Sequence, residues 1–127
     1  MKRFLASLAI FGFLFGPLAC GNDSHQGGSA KEGAVVFAAS CATCHGPEAA
    51  GGIGPNITSS VSAGIGTWTE EDFFRAVRTG VDDEGETLCA LMPRFAPATL
   101  SDVQVSSIYA YLQTLVNDTE NAGTGCP

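Results

Sequence analysis

Basic residues are scarce in this chain. Its 127 residues hold six Lys and Arg against 13 Asp and Glu, a formal net charge of −7. Two of the six, Lys2 and Arg3, stand ahead of an apolar run from Phe4 to Ala19. Beyond that run only Lys31, Arg75, Arg78 and Arg94 face the 13 acids, a balance of four against 13, or −9. So few cations, and none clustered, exclude nucleic acid as a partner, since phosphate binding needs grouped Lys and Arg. The same deficit argues against adsorption of the domain to anionic lipid and for a protein partner with a basic docking surface. Strand-like alternation is also missing after residue 30, which points away from sheet. Histidine and methionine are rarer still, at two each: His25 and His45, Met1 and Met92.

What is present begins with an export signal. Lys2 and Arg3 form a basic start, and the run to Ala19 is broken only by Ser7, two glycines and Pro17, too short for a comfortable membrane span. It ends in Pro17-Leu18-Ala19-Cys20-Gly21, which resembles a bacterial lipoprotein signal, with Leu18 one place later than usual. The resemblance implies cleavage after residue 19 and acylation of Cys20, giving a membrane anchor through more than one chain. The plainer reading is a secreted protein with a leftover thiol. Residues 20–30 are small and polar and read as a flexible tether with a reach of roughly 17 Å. His25 lies in that tether and has no fixed geometry to offer a ligand. Residues 31–127 form the single domain, exported to the periplasm.

Three helices are announced by their caps. Ser29 precedes Glu32, Thr69 precedes Asp72 and Ser101 precedes Gln104, each a hydroxyl followed three places later by an acid or amide. The spacing predicts helices over Ala30–Ala39, Glu70–Thr79 and Asp102 to about Val116. Phe73, Phe74 and Val77 stripe the second, with Gly80 placed to stop it. Val105, Ile108, Tyr109, Leu112, Leu115 and Val116 stripe the third. The class is all-α. Long aperiodic stretches, 46–68 and 81–99, leave about 90 residues short of core, so a large apolar prosthetic group is expected in the middle.

Cys41-Ala42-Thr43-Cys44-His45 has the spacing of a c-type haem attachment site. Two thiols three apart can each form a thioether with a vinyl group, and the next residue then offers its imidazole to the iron. A redox dithiol would sit at a strand-to-helix junction, and structural zinc would need a second spaced ligand pair; neither companion is present. One covalent haem c, attached through Cys41 and Cys44 with His45 as a metal ligand, is the expectation.

With these residues, the chain resembles the class I cytochromes c over roughly residues 31–116. Gly33 and Phe37 match the small–aromatic pair of the N-terminal helix, and Ile108-Tyr109-Ala110-Tyr111-Leu112 looks like the segment that crosses it. Gly54-Pro55-Asn56-Ile57 resembles the family loop whose proline carbonyl accepts a hydrogen bond from the proximal histidine. The resemblance implies a fold of three main helices with long loops wrapped around the haem, contacts from Pro55 and Ile57, and Met92 as the second axial ligand. Trp68, Arg75 and Arg94 are weaker candidates for contact with the haem propionates. With Cys20 assigned to lipid, Cys89 and Cys126 remain for one disulfide in an oxidising compartment. Histidine and methionine together would saturate the iron, which leaves no place for a small-molecule substrate and implies a one-electron carrier, not an enzyme. Two alternatives stay open: a cytochrome subunit of a larger respiratory or dehydrogenase complex, and a haem sensor whose Met92 is displaceable.

Overall fold

The computed structural model describes residues 27–61 and 64–125. Four helices follow in order: α1, Ala30–Ser40; α2, Ala42–His45; α3, Glu70–Thr79; and α4, Asp102–Leu112. Among the described residues the extended pairing is an isolated antiparallel bridge between Val81 and Thr87. No helix of the described residues is long and apolar enough to cross a membrane.

The caps act as their chemistry dictates. Thr69 and Asp72 close a complete capping box on α3, and Ser101 and Gln104 close another on α4. Ser29 caps α1 by accepting from the Glu32 amide at 3.1 Å. Gly80 ends α3 in the left-handed conformation, with φ 73°, which costs glycine little. The first helix runs one residue past its predicted end, to Ser40, and stops at Cys41, whose φ of −121° leaves the helical range; a single further turn carries Cys44 and His45.

Helices α1 and α4 pack at backbone distance. A Cβ at Gly33 would stand 1.8 Å from the Ser107 carbonyl oxygen and 2.8 Å from Tyr111 Cβ. Only a residue without a side chain permits that approach. Phe37, fully buried, then meets Tyr111 at 5.6 Å between ring centres and 54° between planes. Val105, Ile108 and Leu112 on α4 and Phe73, Phe74 and Val77 on α3 complete the core.

Helix α4 stops at Leu112, not at about Val116. Thr114 and Leu115 donate to the Tyr111 and Leu112 carbonyls, tightening the last turn, and the Thr114 hydroxyl also takes the Tyr111 carbonyl at 2.7 Å. The chain beyond is drawn off by long-range partners. Ser59 donates to the Leu115 carbonyl at 3.2 Å, and the Asn117 amide donates to Ser60 Oγ at 2.7 Å. Val116, left 79% exposed, does not join the apolar face.

Candidate functional site

One cavity of about 530 Å³ lies between the helices and the two long loops. Cys41, Cys44, His45, Pro55, Ile57 and Met92 all line it, together with Trp68, Phe73, Val77, Leu91, Phe95 and Ile108. Apart from the His45 imidazole, the described residues that line it include no acidic or basic side chain, for all the acidity of the chain. An apolar chamber with two thiols, an imidazole and a thioether at its surface fits a covalently held tetrapyrrole. Neither Cys41 nor Cys44 is in a disulfide, so both sulfurs are available to form thioethers. Burial, with the neighbouring Cys44 adding to it, pushes the Cys41 thiol up to about 11.

His45 is buried at the end of α2, 8% exposed. Its Nδ1 lies 2.8 Å from the Pro55 carbonyl oxygen. A carbonyl only accepts, so Nδ1 carries the proton and Nε2 keeps its lone pair. Burial lowers the His45 pKa and outweighs the Pro55 bond, which raises it, so the net effect favours the neutral ring. Gly54 makes room for that ring: a Cβ there would stand 2.7 Å from His45 Cε1 and 2.9 Å from Nδ1.

The 46–60 loop is fixed from within. The Gly51 amide donates to the His45 carbonyl and the Gly54 amide to the Cys44 carbonyl. Ala49, fully buried at φ 59°, accepts from the Ile57 amide at 2.9 Å. Asn56 is fully buried, and every polar atom of its side chain is used.

Met92 reaches the cavity from the 81–99 loop, and this loop is held by arginine. Arg94 donates to the Met92 carbonyl at 2.5 Å and to the Leu88 carbonyl at 3.1 Å. Arg78 donates to the Phe95 carbonyl at 2.7 Å and pairs with Asp102 at 2.5 Å. Arg75 donates through Nε to the Asp82 carbonyl at 3.2 Å and pairs with Asp72 at 2.9 Å. Neither Arg75 nor Arg94 lines the cavity, whereas Trp68 does. The loop-holding role of three of the domain's four cations is not visible in sequence. Cys89 also lines the cavity and is disulfide-bonded. Cys20, His25 and Cys126 lie outside the described residues.

The model of the family described as cytochrome C oxidase, cbb3-type, subunit III matches residues 28–112. The chain belongs to that family. As a c-type cytochrome it carries covalent haem c and moves electrons, and Cys41 and Cys44 stand in its Cys-x-x-Cys-His segment. Relatives point the same way. The chain is 38% identical to the fructose dehydrogenase cytochrome subunit of Gluconobacter japonicus over 65% of its own length and 20% of that protein's. It is 32% identical to the gluconate 2-dehydrogenase cytochrome c subunit of Pantoea cypripedii, over 87% of itself and 28% of the relative. The cytochrome c subunit of the quinone alcohol dehydrogenase of Gluconobacter oxydans is 34% identical over 61% and 19%. The chain thus spans between about a fifth and just over a quarter of the length of these relatives.

Proposed function

We propose that this cytochrome is a monohaem one-electron carrier whose iron is held between His45 Nε2 and Met92 Sδ. The observation that carries the reading is the commitment of His45 Nδ1 to the Pro55 carbonyl at 2.8 Å on the same cavity that Met92 lines. Haem c, when bound, supplies a one-electron ferric–ferrous couple. Cys41 and Cys44 fix it covalently. His45, held neutral and oriented, offers one nitrogen, and its bond to Pro55 makes that nitrogen a stronger donor. Met92 offers a soft sulfur that favours the ferrous state and raises the potential. The apolar lining excludes water and disfavours the more highly charged ferric form. Two protein ligands leave no position for substrate, so the residues do not make or break bonds in a reactant.

The purified chain should show a sharp c-type alpha band when reduced and the weak far-red band of methionine sulfur on iron when oxidised. Met92→Ala should abolish the far-red band and leave the colour covalently attached. A far-red band that survives Met92→Ala overturns the ligand assignment, and colour extracted by acid-acetone overturns the attachment. Rapid binding of carbon monoxide to the ferrous protein would favour a sensor with a displaceable Met92.

A second reading follows from relatives that are cytochrome subunits of dehydrogenases: the chain docks to a dehydrogenase partner and takes electrons from it. Exposed Asp83, Glu84 and Glu86 on the 81–99 loop suit a partner with a basic docking face. Co-purification in fixed stoichiometry, lost at high salt, tests this. The remaining parts of the proposal are export to the periplasm behind residues 1–19, lipid attachment at Cys20 and a Cys89–Cys126 disulfide. The tail supports the last of these by position, since the Thr124 and Gly125 amides donate to the Ile53 carbonyl and a Cβ on Gly125 would stand 3.4 Å from Leu91 Cδ1. Intact mass of the membrane-extracted protein, before and after reduction, reads both modifications.

A further inference from the structure

Residues 113–125 follow α4 and lie outside the part matched by the family model, which ends at 112. They do not trail away. They run back across the loop that seats His45 and bond to it at several residues, among which Asn56 is held by both backbone and side chain. Asn56 Nδ2 donates to the Thr119 carbonyl at 2.8 Å and to the Asn117 carbonyl at 3.2 Å. Its Oδ1 accepts from the Thr58 amide and hydroxyl, each at 2.8 Å. Its backbone amide donates to the Asn121 carbonyl at 2.7 Å. Asn56 is therefore pinned at backbone and side chain by three residues of the C-terminal strap, and it is 0% exposed.

The residue covalently before Asn56 is Pro55. Its carbonyl carbon is bonded to the Asn56 nitrogen, so the peptide plane that aims the Pro55 oxygen at His45 Nδ1 contains the amide that donates to Asn121. One planar unit thus faces the histidine at one edge and the strap at the other. Its rotation about the chain is opposed at both ends. Proline supplies a fixed φ but no donor, so the restraint has to come from the following residue. A second clamp lies nearby: the Gly123 Cα, at φ 81°, sits so close to the loop that a Cβ would stand 2.6 Å from the Gly54 carbonyl carbon.

We propose that Asn56 is a positioning residue for the haem iron's histidine, and that the C-terminal strap, acting through Asn56, sets the strength of the His45–Pro55 hydrogen bond and with it the reduction potential. The inference rests on the reading of His45 as an iron ligand. A firm bond to the Nδ1 proton makes the imidazole more electron-rich and favours ferric iron; loosening it favours ferrous iron and raises the potential. The strap is thus a tuning element added outside the common core.

The test uses the full-length holo-protein and two variants. Asn56→Ala removes the amide hub directly. Gly123→Ala acts from the strap side and leaves Asn56, Pro55 and His45 unchanged. For each, the midpoint potential is measured by spectroelectrochemistry, and exchange of the His45 Nδ1 proton is followed by NMR in the reduced protein. Exchange at least tenfold faster, with a potential raised by a tenfold shift in the ferric–ferrous equilibrium (about 59 mV for one electron), is expected for Asn56→Ala. A smaller change of the same sign is expected for Gly123→Ala, with the far-red band retained in both. Less than a twofold change in exchange and equilibrium in both variants overturns the inference, even if their thermal stability falls. If Asn56→Ala yields no holo-protein, Gly123→Ala decides alone. Absence of iron-shifted His45 ring protons in the parent would instead overturn the ligand reading on which the inference stands.

Discussion

The two loops that deliver side chains to the cavity are held by opposite means. The 46–60 loop, which seats His45, is fastened by neutral, buried groups: glycine backbone, the Pro55 carbonyl and the saturated Asn56 amide. The 81–99 loop, which carries Met92, is fastened by guanidinium groups that reach over from α3 and from the loop itself to its carbonyls. Buried amide bonds are expensive to leave unmade, because no water replaces the lost partner. Bonds at an exposed loop are cheaper to lose, because water fills in. The histidine side should therefore be stiff and the methionine side the first to open.

The sharpest way to break that division is to release the bond that joins the two sides. Cys89 stands three residues before Met92, and the strap that meets Asn56 leads toward Cys126, its proposed partner. The closed segment is long enough for about 3.8 kcal/mol by the chain-entropy model, a figure at the upper end. Reduction should lower the denaturant midpoint accordingly, and the far-red methionine band should fade before the alpha band does. Simultaneous loss of both bands would show that the loops open as one unit.

Substitution at Gly54 attacks the histidine side alone. Alanine would drive a methyl to 2.7 Å from His45 Cε1, in a loop whose backbone bonds leave little room to retreat. Overpacking of this kind costs about 3 kcal/mol. Thermal unfolding of Gly54→Ala measures it, and the midpoint potential should move because the ring itself is displaced. On the methionine side, Arg78→Ala should cost about 2 kcal/mol and Arg94→Ala about 1 kcal/mol, the difference reflecting Arg94's greater exposure. Both should let the far-red band bleach at lower temperature while leaving the Nδ1 proton of His45 as slow to exchange as in the parent.

That asymmetry also separates what could be read in the chain from what could not. The Cys41–His45 spacing and the caps at Ser29, Thr69 and Ser101 are local patterns, each set by residues within one or two turns; Gly33 was legible only through the family resemblance, because what requires it is Ser107 on α4. The architecture was legible because local signals outnumber rivals: three capped helices and no alternating strand. The end of α4 was not. Val116 continues the apolar periodicity, but Ser59, Ser60 and Asn56 bond the chain beyond Leu115 from some 56–61 positions away, and no window of sequence contains that competition. The arginine contacts to the 81–99 loop were hidden for the same reason. Arg94 looks like a candidate for a carboxylate, yet its partners are carbonyls of an aperiodic loop. Gly80, read as a helix stop, also clears space for that guanidinium, which a Cβ would overlap.

The smallest expected effect lies between the two loops, at the Tyr109 hydroxyl. Tyr109 donates to the Trp68 carbonyl at 2.8 Å and stacks obliquely on Phe73 at 5.7 Å, so it ties α4 to the segment entering α3. Burial raises its pKa above the usual 10, with the charge of Glu70 adding to the rise. An acid whose pKa is raised on folding favours the neutral form in the folded state. Its contribution is therefore complete below the unfolded value of about 10 and is lost as pH climbs past it. The parent should lose stability more steeply than Tyr109→Phe between pH 10 and the raised folded value, and the two curves should run parallel below pH 9. Because Tyr109 is not among the residues that line the cavity and its hydroxyl bonds to the Trp68 backbone, this loss should appear in the unfolding midpoint and not in the far-red band. A far-red band that bleached together with the Tyr109 titration would mean that the helices, not the arginines, hold Met92 in place.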